Sequence, residues 1–393
     1  MADADPKSRR RAKALPLPDE VALVLQGGGA LGSYQAGVCE ALAEAAIAVD
    51  WVAGISIGAV NAAIIAGNPP DRRVDRLRAF WDKVTSQLPS FPIWPSEHLR
   101  ELVHEWSAGF VASFGVPGMF RPRWWPPVLA TPGSCEALSF YDSAPLRRTL
   151  DELVDWNLLN DGPVRLSVGA VDIESGNFEY FDTRGPHPRR IDARHIMASG
   201  ALPPGLPPVE IDGRYYWDGG LVSNTPLGHV LETQTGDLLV FQVDLFSAHN
   251  DLPKTIMDVF ARAKEIQYSS RTRQVSDQLV RLRKEREAIR TLISKLPPAL
   301  LDDPDVALLA EAAREYSANV VQLIYRANAW EGGSRDYEFS ARTMAEHWSA
   351  GRAAVAETMN RSALIARNII DGRTAAFDLQ RKDEGRKTHV PEG

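Results

Sequence analysis

Val21-Ala22-Leu23-Val24-Leu25-Gln26-Gly27-Gly28-Gly29-Ala30-Leu31-Gly32 is an apolar run that stops on a cluster of glycines. A continuous apolar run without alternation is how a strand reads when both faces are buried in a parallel sheet. Residues 33–46 then place Val38, Ala41, Leu42 and Ala45 on one face of a helix. Trp51-Val52-Ala53 reads as the next strand and leads into Gly54-Ile55-Ser56-Ile57-Gly58. A G-x-S-x-G pentapeptide makes a tight strand-to-helix turn that pushes one serine hydroxyl out of the fold, and Gly54 and Gly58 avoid collisions with the flanking elements. The helical pattern resumes through Val60, Ile64 and Ile65. Strand, glycine turn, helix, strand, serine turn, helix predicts an α/β fold whose site lies at the C-terminal ends of parallel strands.

Further strands are expected at 164–171, 177–181, 214–217 and 238–243, with Asp218-Gly219-Gly220 ending the third. Residues from about 85 to 135 are rich in tryptophan and proline. Too many prolines interrupt them for a central sheet. They are expected to form an insertion, partly helical over 96–108, whose Phe120-Arg121-Pro122-Arg123-Trp124-Trp125 mixes aromatic and basic residues as an interfacial lid does. The alternative is a satellite core. After about Asp251 the strand signals fade, and helical patterns dominate 253–296, 306–315 and 340–370, with a short strand near 320–326. The expected organisation is a basic disordered tail over 1–18, a catalytic domain over 19–250 carrying the insertion, and a helical extension over 251–393.

The chain has 393 residues, a formal net charge of −7 and two cysteines. The negative balance argues against nucleic acid as a partner. Two cysteines imply no disulfide framework, and no signal peptide follows the basic residues Lys7 to Lys13, so a cytoplasmic location is expected. No apolar stretch is long enough to span a bilayer.

Serine is a poor nucleophile at neutral pH and needs a base. A Ser–His–Asp triad would draw on Asp218 with His229 or His249, although neither histidine sits in a glycine-supported turn. A Ser56–Asp218 dyad is the better arrangement, because the two glycines after Asp218 let the backbone turn and leave its carboxylate at the sheet edge. The glycine run also reads as G-x-G-x-x-G, a dinucleotide fingerprint, with Asp50 near the acidic position. A catalytically silent lipid-binding protein is a further class.

Gly27-Gly28-Gly29-Ala30-Leu31-Gly32, Gly54-Ile55-Ser56-Ile57-Gly58 and Asp218-Gly219-Gly220, with Ala198-Ser199-Gly200-Ala201-Leu202-Pro203 and Asn224-Thr225-Pro226 between and after them, occur in the order and spacing of patatin-like phospholipases. The chain resembles that family over about residues 20–245. The resemblance implies a three-layer α/β/α sandwich with a mostly parallel central sheet, plus a mainly helical C-terminal extension of the kind found on a bacterial subset. It implies lipid acyl hydrolysis without cofactor or metal, with Ser56 as nucleophile, Asp218 as base and an oxyanion hole around Gly27, Gly28, Gly29 and Ala30. Gly32, Gly54, Gly58, Gly219 and Gly220 support the motifs. The implied partner is a lipid or lipid-like ester. The aromatic and basic insertion adds an expected peripheral contact with a membrane, and the negative charge excludes nucleic acid. Leu31 stands where many members carry arginine, Gln26 where many carry aspartate, and Leu206 where an aromatic is common. The motifs therefore carry ester hydrolysis and leave open the headgroup, and with it a non-phospholipid esterase or transacylase on the same dyad.

Overall fold

The computed structural model describes residues 15–85, 109–111, 113–269, 281, 285–313, 316–327, 331 and 335–380. The expected tail, apart from residues 15–18, and the expected helix over 96–108 lie outside the described residues. The strands are β1 (Glu20–Leu25), β2 (Trp51–Gly54), β3 (Arg121–Pro122), β4 (Tyr141–Asp142), β5 (Arg165–Asp172), β6 (Phe178–Asp182), β7 (Val209–Ile211), β8 (Arg214–Asp218), β9 (Leu238–Asp244), β10 (Ala318–Ile324) and β11 (Ala375–Phe377). Among the described residues, one mixed sheet runs β11-β10-β9-β1-β2-β5-β8-β7, with β6 also pairing β5. The pairs from β11 through to β5 are all parallel, and β6, β7 and β8 add antiparallel pairing beyond them. β3, within the insertion, and β4, just after it, form a separate ribbon.

The apolar run in β1 feeds both faces of the sheet. Val21, Leu23 and Leu25 point into the larger core, under the helices Gly32–Glu44, Ile57–Ala66 and Arg73–Thr85, while Ala22 and Val24 join Trp51, Val240, Leu227 and Val230 on the opposite face. Each fully buried Val, Leu or Phe of these strands contributes about 1.5–3 kcal/mol of transfer free energy. The helix Ile57–Ala66 is buried along its whole length, as expected for the helix behind the serine turn.

Two features depart from expectation. The short strand expected near 320–326 is present as β10, but it and a further strand, β11, join the central sheet, so the C-terminal region extends that sheet as well as covering it with helices Ala341–Asn360 and Ser362–Ile370. The run Ala318–Ile324 contains Asn319 and Gln322, which break the apolar pattern although both are buried. The tryptophans near the insertion also divide. Trp81 is fully buried in the main core, whereas Trp124 and Trp125 are 92% and 67% exposed.

β2 and β8 share one edge of β5. Gly54 at the end of β2 lies opposite Val168, and Asp218 at the end of β8 lies opposite Ala170, while β6 occupies the other edge at both levels. The two strands run toward each other in one slot, so the turn after β2 and the last residue of β8 converge. This register positions the site.

Candidate active site

Ser56 has φ 56° and ψ −124°, a left-handed backbone that non-glycine residues rarely adopt. The surroundings hold it there. Its N–H donates to Ser199 Oγ at 3.0 Å, and Ser199 is fully buried at the end of helix Ala193–Ser199. A Cβ at Gly54 would strike the backbone of Gly58, and one at Gly58 would strike the carbonyl of Leu25 in β1. The steric reason for both glycines is therefore as read from the motif.

Asp218 is 2% exposed and makes no ion pair among the described residues. Burial pushes its carboxyl up to about 7, against the pull of the Gly220 N–H, which donates to Oδ1 at 2.7 Å, and of the Ser56 hydroxyl, a hydrogen-bonding neighbour. Gly219 keeps the turn tight, since a Cβ there would meet the Gly169 carbonyl.

The glycine loop is held by side chains. Gln26 makes a complete set of bonds: Nε2 donates to Thr225 Oγ1 at 2.9 Å and the Tyr268 carbonyl at 3.0 Å, and Oε1 accepts the N–H groups of Leu245 and Phe246 at 2.6 and 2.9 Å. An aspartate at this position has no donors to offer those two acceptors. Behind it, Gln35 donates to the Gln26 carbonyl, and Asn61 donates to Gln35 and to the Gly32 carbonyl. Asn224 Nδ2 donates to the carbonyls of Gly27 and Tyr268, both at 3.0 Å. The Gly27 N–H is itself committed to the Asn224 carbonyl at 3.2 Å, so Gly27 differs from the oxyanion role expected of it. The N–H groups of Gly28, Gly29 and Ala30 have no acceptor among the described residues. Leu31 is fully buried in the larger core.

Neither triad histidine reaches the serine. His229 Nε2 is 2.9 Å from Asp182 Oδ2, in a cluster with Arg165, Ser167 and Trp51 at the opposite edge of the sheet, where β2 and β5 begin. His249 is exposed in the loop after β9. Among the described residues, no group of three or more His, Cys, Asp or Glu could hold a metal ion. Asp50, the acidic residue of the dinucleotide reading, accepts the Val21 N–H at 2.9 Å at the start of β1, away from the glycine loop.

Sequence reasoning placed Ser56, Asp218 and the loop, and the structure brings them together. It missed the anchoring side chains of Ser199 and Asn224 and the backbone carbonyl of Tyr268. The first two lie in the quoted Ala-Ser-Gly and Asn-Thr-Pro blocks, so a signal was present without its reason. Tyr268 carried none, because it acts through its backbone carbonyl.

A family model described as patatin-like phospholipase matches residues 23–231. The chain belongs to the patatin-like phospholipase family. A second model, described as patatin phospholipase, matches residues 266–368, so both segments that meet at the glycine loop carry patatin signatures. A patatin-like phospholipase domain-containing protein of Caenorhabditis elegans is 36% identical over 106 residues, covering 26% of this chain and 7% of that protein. The lysophospholipase NTE1 of Kluyveromyces lactis is 26% identical over 245 residues, covering 61% of this chain and 13% of that protein. The chain thus spans a small part of these relatives' length. The crystal structure of VipD from Legionella pneumophila superposes with a TM-score of 0.34 at 16% identity, covering 84% of this chain and 67% of that one. No helix among the described residues of this patatin-like chain is long and apolar enough to cross a membrane.

Proposed function

We propose that the chain is a serine acyl hydrolase that cleaves carboxylic esters of lipids through an acyl-enzyme on a Ser56–Asp218 dyad. The observation that carries this reading is a buried carboxyl, without an ion pair among the described residues, beside a serine held at a strained turn. Ser56 Oγ attacks the acyl carbon as its proton passes to Asp218. The N–H groups of Gly28, Gly29 and Ala30 receive the oxyanion, and each such donor is worth about 10²–10³ in turnover. Collapse expels the alcohol, which leaves with the proton from Asp218. Water then attacks the acyl-enzyme as its proton passes to Asp218, and collapse frees the fatty acid as Asp218 returns that proton to Ser56 Oγ, restoring both groups. A carboxyl near 7 suits both halves, because a base works best with a pKa near the working pH.

The exposed Trp124, Trp125, Val128 and Leu129 support a lipid as substrate, since such a cluster can rest at a membrane–water boundary. The headgroup lies outside this reading, and esterase or transacylase action uses the same residues.

A fluorophosphonate probe is expected to label wild-type protein at Ser56 and to leave Ser56→Ala unlabelled, with release of fatty acid from a lysophospholipid or a simple ester lost in parallel. Hydrolysis retained by Ser56→Ala, measured by titrating free acid, would refute the reading.

A further inference from the structure

The C-terminal region reaches the glycine loop at two places. Helix Ile256–Tyr268 ends on the Tyr268 carbonyl, which accepts from Gln26 and Asn224, the two side chains that hold the root of the loop. Then the short turn Arg335–Tyr337 lies directly on the loop itself. Gly29 has φ 55°, and a Cβ there would run into the Asp336 carbonyl, so the turn is pressed against the Cα of the residue at the centre of the unpartnered N–H groups.

That turn is fastened to the same helix by two charge pairs. Lys264 Nζ meets Asp336 Oδ1 at 2.5 Å, with the ammonium 4.8 Å from the Tyr337 ring centroid. Arg335 meets Glu265 Oε1 at 2.6 Å, and Glu265 is also bonded by Arg262 and Asn250. Both pairs are largely shielded, with side-chain exposures of 27% and 12% for Lys264 and Asp336 and 10% and 5% for Arg335 and Glu265. Shielded pairs keep their strength and direction better than surface pairs, which solvent and salt screen.

We propose that Arg335–Tyr337 is a strap that positions the oxyanion loop, and that the Lys264–Asp336 and Arg335–Glu265 pairs set its height above Gly29. The inference rests on the acyl-hydrolase reading above. The pairs touch no reacting atom and act as positioning residues. An oxyanion donor must lie within a few tenths of an ångström of the transition-state oxygen, and a misplacement near 1 Å costs about 10²-fold. Breaking the pair therefore lowers kcat, while binding of a small ester, which needs little of the loop, is preserved.

The test uses the full chain and a soluble nitrophenyl ester. It compares wild type, Lys264→Ala, Asp336→Ala, the double alanine variant, and the reversed pair carrying Lys264→Asp with Asp336→Lys. Turnover is expressed per Ser56 titrated to completion with fluorophosphonate, so that misfolded protein does not count. Each single variant is expected to lose about 10- to 100-fold in kcat with KM within about threefold. The double variant should be no worse than either single one, and the reversed pair should recover at least about fivefold. Single variants within twofold of wild-type kcat would overturn the proposal. So would a reversed pair that restores the melting temperature without restoring kcat per titrated serine, for that is a purely structural pair. A wild-type protein that neither turns over nor labels fails the hydrolase reading instead, before the variants are compared.

Discussion

At the residue scale, Asp218 links stability and chemistry in opposite directions. Its carboxyl is raised by burial from the usual value near 4 to about 7. A group whose folded pKa lies above its unfolded one stabilises fully below the unfolded value, and that contribution is lost as pH rises through the folded value. Ionising Asp218 at the pH where it can act as base therefore destabilises the fold. Asp218→Asn keeps an acceptor for the Gly220 N–H and removes the buried charge. It is expected to melt higher relative to wild type at pH 8 than at pH 4, and to lose about 10²–10⁴ in turnover. In wild type, kcat/KM should rise with pH on an acid limb centred near 7. Equal melting differences at the two pH values, read by calorimetry, would contradict the assignment. The sequence motif already located this residue, but its environment was invisible there, because burial is a property of the strands and helices around it.

At the element scale, helix Gly32–Glu44 and helix Ala341–Asn360 cross at glycines. A Cβ at Gly37 would strike the Trp348 carbonyl, and one at Gly351 would strike the Tyr34 carbonyl. The backbones approach too closely for any side chain, and Trp348 Nε1 donates to Glu40 Oε2 at 2.6 Å across the same contact. Helix propensity alone says that Gly351→Ala should stabilise by about 1 kcal/mol. Packing opposes it, because the helices must separate along the crossing, and overpacking of this kind costs about 1–3 kcal/mol or more. Packing wins, so Gly351→Ala is expected to lower the urea midpoint. A raised midpoint would show that the crossing can relax. Local pattern predicted both helices. Their meeting was not legible, since a glycine within a helical pattern does not name the element it faces.

At the scale of the whole molecule, the sheet cannot be divided at residue 250. β9 is buried on both faces and pairs with β1 on one edge and β10 on the other. A chain ended after Asn250 would leave β9 with an open, apolar edge and uncover the helix Gly32–Glu44. Such an edge is a template for aggregation. The truncated protein is expected to be insoluble or to lack a cooperative thermal transition by circular dichroism. A monodisperse species with native-like cooperativity would mean that β10 and β11 are dispensable. The apolar spacing over 253–296 concealed this dependence. Helical periodicity is strong over long segments, and although a short strand near 320–326 is legible, an apolar run does not name the strand it pairs with, so its place beside β9 was not.

What the sequence by itself determined is the local machinery. A buried strand ending on glycines, a serine flanked by glycines and an aspartate followed by two glycines each follow from backbone sterics over a few residues. They identified the turn at Ser56 and the loop at 27–30, and with those motifs beside it and the resemblance to patatin-like phospholipases, Asp218-Gly219-Gly220 pointed to Asp218 as the base. Only the tertiary structure decided which of these groups meet and what surrounds them. The register of β8 along the edge that β2 vacates brings Asp218 to Ser56, while His229 is bound to Asp182 at the far edge of the sheet. Packing made Asp218 dry, committed the Gly27 N–H to Asn224 and laid the Arg335–Tyr337 turn on Gly29. Those outcomes depend on contacts between residues far apart in the chain, and local sterics carry no information about such partners.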